Sequence, residues 1–417
     1  MLEDTRIVNM TEMGERARAA SYALATAPTA RKDAALEAIA AALEAQTPAI
    51  LEANQRDLRA AEAAGTDPIW IRDRLDLTRR MPGIIADVRH VKTLADPVGR
   101  IFEERVLENG LRVSKRRVPL GVLGVIYESR PNVTVDVATL ALKTGNAVIL
   151  RGGSDVLHTN LELVRVLQEA LQSTGFAADV MQYIASPDRA YVAEMLRLHQ
   201  YIDMIIPRGG NSLHQFCREN STIPVIIGGM GICHLYVDAA ANSDASLPVI
   251  HNAKTQRPAV CNALDTLLVH EALAASFLPR VVEHLGKDGV AFKAEPRALA
   301  LLAGDARVHP AGPADFDTEW MGLTLGLKVV SGLDEAVTHI RQHSTQHSDG
   351  ILTDDAQQAA AFLNAVDSAA VYVNASTRFT DGSALGLGAE VAISTQKLHA
   401  RGRSEERRVG KECRSRW

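Results

Sequence analysis

The chain has 417 residues, 47% hydrophobic and 23% charged, and its 45 Lys and Arg against 50 Asp and Glu leave a net charge of −5. That length predicts roughly two or three domains with sizeable cores, and the composition excludes a disordered chain, a collagen and a disulfide scaffold. The acidic balance excludes a dedicated nucleic-acid binder, whose affinity rests on clustered cations, and no apolar run approaches the ~20 residues that span a bilayer.

The opening MLEDTRIVNM has neither the basic start nor the apolar core of a secretion signal, so the expected location is cytoplasmic, in a reducing environment. Residues 29–65 are Ala-rich, and Leu36, Ile39, Ala40 and Leu43 fall on one face at helical spacing, which predicts two helices. The second takes Thr47 as its N-cap, Pro48 at its first position and Gly65 just past its end. Over 103–120 apolar and polar residues are interspersed around Asn109-Gly110, which predicts a hairpin. Short apolar runs at 121–127, 147–150, 181–184, 203–206 and 224–227 then alternate with helix-forming segments such as 158–172 and 190–198. This βαβα order predicts a parallel sheet covered by helices, with ligands at the carboxyl ends of its strands. From about Val237 a second α/β block is predicted: helix 244–254, strand 265–269, helix 271–284, strand 325–330, helix 334–342 and strand 370–374. The closing segment 403–417 holds six basic and three acidic residues, so it carries +3 and the preceding 402 residues carry −8. It offers no apolar face to bury.

Two strand ends carry the same tripeptide: Arg151-Gly152-Gly153 after AVIL, and Arg208-Gly209-Gly210 after MIIP. Glycines let a ligand approach the backbone, helix-start amides attract anions, and a guanidinium grips phosphate at two points. The residues alone leave a phosphate cradle and a plain turn with solvated arginines about evenly matched, and neither loop is a G-x-G-x-x-G fingerprint. Cys261 lies in a loop, QRPAVCNALD, near Arg257, where a cation favours a nucleophilic thiolate; a small buried hydrophobe is the commoner role for a lone cysteine. Cys217, Cys233 and Cys413 take the latter reading, and no pair has C-x-x-C spacing. His339, His343 and His347 stand four apart, but the Ser, Thr, Asp and Gly residues from Ser344 onward end the helix that a metal site would need, so no metal is expected.

The segment from Arg117 to Asn132, RVPLGVLGVIYESRPN, followed by GNAVILRGG ending at Gly153, resembles the gamma-glutamyl phosphate reductase branch of the aldehyde dehydrogenase superfamily. So do ILEAN at 50–54, IIPRGG, QRPAVCNALDTLLV, HSDGILT, and the run from Gly386 to Gly402, GLGAEVAISTQKLHARG; the resemblance spans essentially residues 1–402. It implies NADPH-dependent reduction of L-glutamyl 5-phosphate to L-glutamate 5-semialdehyde and phosphate, in proline biosynthesis. It further implies Cys261 as the nucleophile that forms a thioester, and Asn132, with the Cys261 backbone N–H, as oxyanion donors. The matching cofactor residues are Arg151, Gly152, Gly153, Arg208, Gly209, Gly210 and Glu319, the last holding the nicotinamide ribose. An arginine near the adenosine ribose suits a 2′-phosphate, hence NADPH. The substrate's α-carboxylate and α-ammonium call for an Arg and an acid, with Glu128, Arg130, Arg257, Arg378 and Asp381 as candidates. Where hydrolytic members carry the glutamate of Glu-Leu-Gly-Gly, this chain has Ile226-Ile227-Gly228-Gly229, which does not activate water.

The organisation implied is aldehyde dehydrogenase-like: a Rossmann-type NADP-binding domain over 1–236 with hairpin 103–120 as oligomerisation element, an α/β catalytic domain over 237–375, and a return segment over 376–402. The family continues differently after Gly402, so 403–417 is expected to be non-native. A homo-oligomer, dimer or tetramer, is expected where the family's own C-terminus is present. The kinase that makes glutamyl phosphate, glutamate 5-kinase, is an expected partner; nucleic acid and membrane are not. The competing readings are a hydrolytic aldehyde dehydrogenase and an inactive scaffold.

Overall fold

The computed structural model describes residues 8–397, so the tail 403–417 lies outside the described residues. Two compact units emerge: one runs up to Ile227 and takes back Gly388–Ala392, and the other begins at Gly228.

In the first unit, α1 (Met10–Ala25), α2 (Thr29–Ala45) and α3 (Thr47–Ala63) lead through the short α4 (Pro68–Trp70) and a π-helical turn to α5 (Met81–Thr93). The boundary of α3 differs from the expectation in one respect. Thr47 is its first helical residue, not its N-cap, because the Thr47 hydroxyl donates back to the Leu43 carbonyl (2.7 Å), and Gln46 holds the cap position. Gly65 follows the helix at φ +76°, a conformation that favours glycine. The hairpin consists of β1 (Ile101–Val106) and β2 (Arg112–Arg116), antiparallel. Its turn closes with Gly110 N–H donating to Leu107 O (2.8 Å) and Leu107 N–H to Leu111 O (2.9 Å); Gly110 alone takes positive φ, which makes this a type I turn with a glycine bulge.

The sheet proper is four-stranded and parallel: β3 (Val122–Tyr127), β4 (Ala147–Arg151), β5 (Met181–Tyr183) and β6 (Met204–Arg208), in the order β5-β4-β3-β6. Between these strands run α6 (Asn132–Lys143), α7 (Leu157–Ser173) and α8 (Ala190–Met195), and α9 (Asn211–Asn220) follows β6. Side chains alternate across β3: Leu123, Val125 and Tyr127 join α2, α5, α6 and α7 in one core, while Val122 and Ile126 join α1, α8 and α9 in another. The predicted strand at 224–227 is a single bridge, Ile205 to Val225; with Pro224 contributing no N–H, no ladder forms. Cys217 is buried in the second core, and burial pushes its thiol up to about 11.

The second unit is a seven-stranded sheet with every pair parallel: β7 (Cys233–Val237), β8 (Leu264–His270), β9 (Ala291–Ala294), β10 (Val308–Pro310), β11 (Thr324–Val330), β12 (Ser348–Leu352) and β13 (Ala370–Val373), in the order β10-β9-β11-β8-β7-β12-β13. Helices α10 (Ser243–Thr255), α11 (Glu271–Gly286) and α12 (Pro296–Leu301) belong to one face, and α13 (Leu333–His343) and α14 (Ala356–Ala365) to the other. Strand β7 opens this unit earlier than the block expected from Val237. α13 ends at His343, so His347 lies off the helix; the ring of His339 packs edge-on against His234 and Phe316. Ser348, Asp349 and Gly350, expected in the termination of that helix, instead begin β12. Among the described residues, no group of three or more His, Cys, Asp or Glu is arranged to hold a metal ion, and no single helix is long and apolar enough to cross a membrane.

Candidate active site

In the second unit Cys261 sits on the loop between α10 and β8, immediately before the strand, and is half-buried. The loop is held from two sides. Thr377 Oγ1 donates to Asn262 O (2.8 Å), Asn262 Nδ2 donates to Thr380 O (2.9 Å), and the Arg378 guanidinium bonds Asn262 Oδ1 and Gln256 Oε1. Below it, Cys233 Sγ donates to the Cys261 carbonyl (3.2 Å). Cys233 is fully buried and its thiol is pushed well up, which keeps it protonated. Of the three described cysteines, Cys261 alone is within reach of a ligand.

Two further loops meet this one at the amino ends of the strands. Glu319, ahead of β11, accepts from Gly231 N–H (2.9 Å) and is raised by burial. Gly231, ahead of β7, lies so close to the Cys261 carbonyl that a Cβ there would be 2.6 Å from its carbon. Asp265 ties the three strand starts together, accepting from Trp320 N–H (3.2 Å) and Cys233 N–H (3.5 Å), with Lys254 Nζ 3.7 Å away. Burial pushes Asp265 up to about 6 and Lys254 down, so each moves toward its neutral form despite the other's charge. Arg378 is lowered by burial and then by the nearby Arg257, while Asp381 and Cys261 act in the opposite sense; these four groups share one neighbourhood. The Asp381 carboxylate also caps its own turn, accepting from Ser383 and Ala384 N–H (3.0 Å each).

In the first unit the expected residues gather at the carboxyl ends of β3, β4 and β6, which lie side by side. Glu128 N–H donates to Arg208 O (3.1 Å), and the Glu128 carboxylate accepts from Gly210 N–H (3.0 Å). A Cβ at Gly209 would sit 2.5 Å from that carboxyl carbon, and nothing lies within 4 Å of one at Gly210. Glu128 thus belongs to the Arg-Gly-Gly loop. Arg151 is buried, its guanidinium donating to Gly152 O and Pro187 O (2.9 Å each), and burial lowers its pKa. Its Nε, and Nδ1 of the buried His214 near Arg208, have no hydrogen-bond partner among the described residues. Ser129 takes φ +29° and its hydroxyl donates to Asp155 (2.5 Å), next to Gly153. Arg130 lies exposed in the same turn, and its carbonyl accepts the Val133 N–H (3.0 Å) as α6 begins.

Asn132 is the first residue of α6, and both ends of its amide are engaged: Nδ2 donates to Asp136 Oδ2 (2.8 Å), and Oδ1 accepts from Arg80 Nη2 (2.7 Å). Asp136 is pushed up to about 6, chiefly by burial, against the pull of the Asn132 bond. Sequence reasoning passed over Arg80, Asp136, Gly231 and Asn262. Two of these carry a local signal, since Asp136 is one helical turn from Asn132 and Asn262 adjoins Cys261; Arg80 and Gly231 meet their partners only through the fold.

The chain belongs to the aldehyde dehydrogenase family, whose profile matches residues 5–294. Within it, its relatives are gamma-glutamyl phosphate reductases. It is 59% identical to that of Aeromonas salmonicida over 396 residues, and 57% identical to that of Photobacterium profundum over 397, each covering 95% of both chains. The crystal structure of gamma-glutamyl phosphate reductase from Thermotoga maritima superposes with a TM-score of 0.90 at 44% identity, again over 95% of both chains.

Proposed function

We propose that this chain reduces L-glutamyl 5-phosphate to L-glutamate 5-semialdehyde and phosphate, with NADPH as reductant, in the cytoplasmic step of proline biosynthesis. The observation that carries the reading is Cys261: a half-buried thiol on a loop clasped by Asn262, Thr377 and Arg378, while the other two described thiols are buried. The Cys261 sulfur attacks the acyl carbon of the substrate. Asn132 Nδ2 and the Cys261 backbone N–H take the oxyanion, and collapse breaks the bond to phosphate and leaves a thioester. When bound, NADPH supplies hydride to the thioester carbon. The resulting thiohemiacetal takes up a proton on oxygen and releases the aldehyde as its C–S bond breaks, regenerating the thiol. Ile226 at the position of the hydrolytic glutamate supplies no base, so water is not activated against the thioester.

The residues fit the cofactor. The open space beside Gly210, the Arg208 cation and the unpartnered Arg151 Nε are what a dinucleotide phosphate would use, with Gly152, Gly153 and Gly209 shaping the loops and Glu319 taking the nicotinamide ribose. Arg189 adds a second cation beside Arg151, which supports a 2′-phosphate. Arg257 and Arg378, with Asp381, suit the α-carboxylate and α-ammonium of the substrate; Glu128 and Arg130 are the weaker candidates, Glu128 because its carboxylate serves the Arg208 loop. The hairpin exposes Ile101, Phe102, Val106 and Leu111, which supports its role in a homo-oligomer. Glutamate 5-kinase, which would supply the unstable acyl phosphate, is the proposed partner. Unpaired thiols at Cys217 and Cys233 support a reducing compartment.

The test runs the reaction backward, following NADP reduction by glutamate 5-semialdehyde with and without phosphate. Turnover that requires phosphate is expected, and phosphate-independent turnover would establish the hydrolytic alternative. Cys261→Ala is expected to lose turnover while still binding NADPH; full activity in that variant refutes the covalent route.

A further inference from the structure

We infer that Arg80 is a positioning residue, whose guanidinium fixes the Asn132 carboxamide in the one orientation that presents Nδ2 as the oxyanion donor. A carboxamide is nearly symmetric in shape, and a half-turn about its last bond exchanges donor for acceptor. An asparagine that must donate in a transition state therefore needs something to hold it. Here the two ends are read by groups of fixed polarity. Arg80 Nη2 lies 2.7 Å from Oδ1, and a guanidinium has donors only. Asp136 Oδ2 lies 2.8 Å from Nδ2, and an ionised carboxylate only accepts. The flipped amide would set its N–H₂ against the guanidinium and its oxygen against the carboxylate, losing two charge-assisted bonds.

One N–H of Nδ2 goes to Asp136, and the amide has a second to give. Arg80 is itself anchored. It stands at the N-cap position of α5, and its Nη1 reaches the Arg74 carbonyl (3.4 Å) in the turn before that helix. Asp136 is one turn along α6 from Asn132, so both members of that pair move as one rigid element, and Arg80 arrives from a different helix to complete the clamp. The inference rests on the oxyanion role proposed for Asn132.

The experiment is a double-mutant cycle on the full chain, Arg80→Met and Asn132→Ala singly and together, assayed in the phosphate-dependent reverse direction. Asn132→Ala is expected to lower kcat by about 10²- to 10³-fold, the usual cost of one oxyanion donor. Arg80→Met is expected to lower kcat by about 10-fold or more at unchanged KM for phosphate and NADP, Arg80→Lys to recover most of the loss, and the double variant to match Asn132→Ala alone. A fully active Asn132→Ala overturns the oxyanion reading and this inference together. A crippled Asn132→Ala beside an unimpaired Arg80→Met overturns the clamp alone. So does a double variant in which the losses multiply, or an Arg80→Met defect confined to the KM for phosphate; either result would make Arg80 a direct ligand of the substrate. Should Arg80→Met lose its cooperative unfolding transition, Arg80→Ala, which likewise removes the donor, carries the same comparison.

Discussion

Gly231→Ala tests whether the Cys261 loop depends on backbone packed against backbone. Gly231 is not in the left-handed region, so space alone decides the outcome. A Cβ there would stand 2.6 Å from the carbonyl carbon of Cys261 and 3.1 Å from its Cα, with the carbonyl oxygen closer still. Ordinary contact begins at 3.4 Å and the carbonyl oxygen would stand at 1.7 Å, so the two segments must part by considerably more than about 1 Å. Neither is free to yield. Gly231 N–H is held by Glu319 and the next N–H, of Ile232, by Thr345 Oγ1 (3.0 Å), while the Cys261 carbonyl accepts from Cys233 Sγ and Asn262 is clasped by Arg378. Overpacking of this kind costs about 1–3 kcal/mol, and a 1 Å displacement of a reacting group costs about 100-fold in rate. The expected variant is folded, melts about 5 °C lower, and has kcat reduced about 100-fold in the reverse assay. Gly83→Ala is the control: Gly83 is exposed within α5 with nothing within 4 Å, so alanine there should stabilise by about 0.5–1 kcal/mol and leave kcat alone. A Gly231→Ala enzyme with kcat within about twofold of the parent refutes the packing argument.

Three further outcomes are expected. In the native protein iodoacetamide should label Cys261 and spare Cys217 and Cys233, both buried and raised, until denaturant is added; peptide mass mapping reads this directly. Lys32 is buried with its Nζ 2.5 Å from Asp96 and 3.0 Å from the Lys143 carbonyl, so Lys32→Met leaves the Asp96 carboxylate without its cation, held only by the Thr29 hydroxyl and the Val98 N–H, and should cost about 3 kcal/mol in urea unfolding. Asp136 binds its proton more tightly folded (about 6) than unfolded (3.8), so its contribution favours the fold below pH 3.8 and is lost as pH rises through 6. Asp136→Asn should therefore be more stable than the parent at pH 8, by up to about 3 kcal/mol, with the gap narrowing toward pH 5; a pH-independent difference would contradict the assignment.

Strands buried on both faces announced themselves in the sequence. The run Val122–Tyr127 is apolar throughout because both its faces are covered, and the run 147–150 behaves likewise. Other elements were hidden by the same physics. β12 begins Ser348-Asp349-Gly350, three residues that read as a helix terminus, yet Asp349 is a buried acceptor for the His234 backbone N–H and for Ser344 and Ser368, and its satisfied carboxylate lets a polar sequence run through the middle of a sheet. α1 went unpredicted because its face is made of small and flexible residues, Met10, Met13, Gly14 and Ala17, whose periodicity is faint. Gly14 has no room for a side chain beside Tyr201, a constraint that appears only when residues far apart in the chain meet.

The site divides along the same line. General rules for open α/β sheets place ligands at the carboxyl ends of strands, and Arg151-Gly152-Gly153 and Arg208-Gly209-Gly210 stand there. Cys261 breaks that rule, since it precedes β8 and lies at the amino ends of its sheet with Gly231 and Glu319. Composition and period carry no trace of this inversion, and the matched family motif alone singled out the thiol. What neither motif nor period could supply is the packing that makes the residues work. Asn132 is legible as an amide, but an amide points two ways, and which way it points is decided by Arg80, on another helix and beyond the reach of any local pattern. Chemistry-bearing residue types are thus written locally, whereas their orientation is a property of the folded unit and is visible only in the polarity of the groups around them.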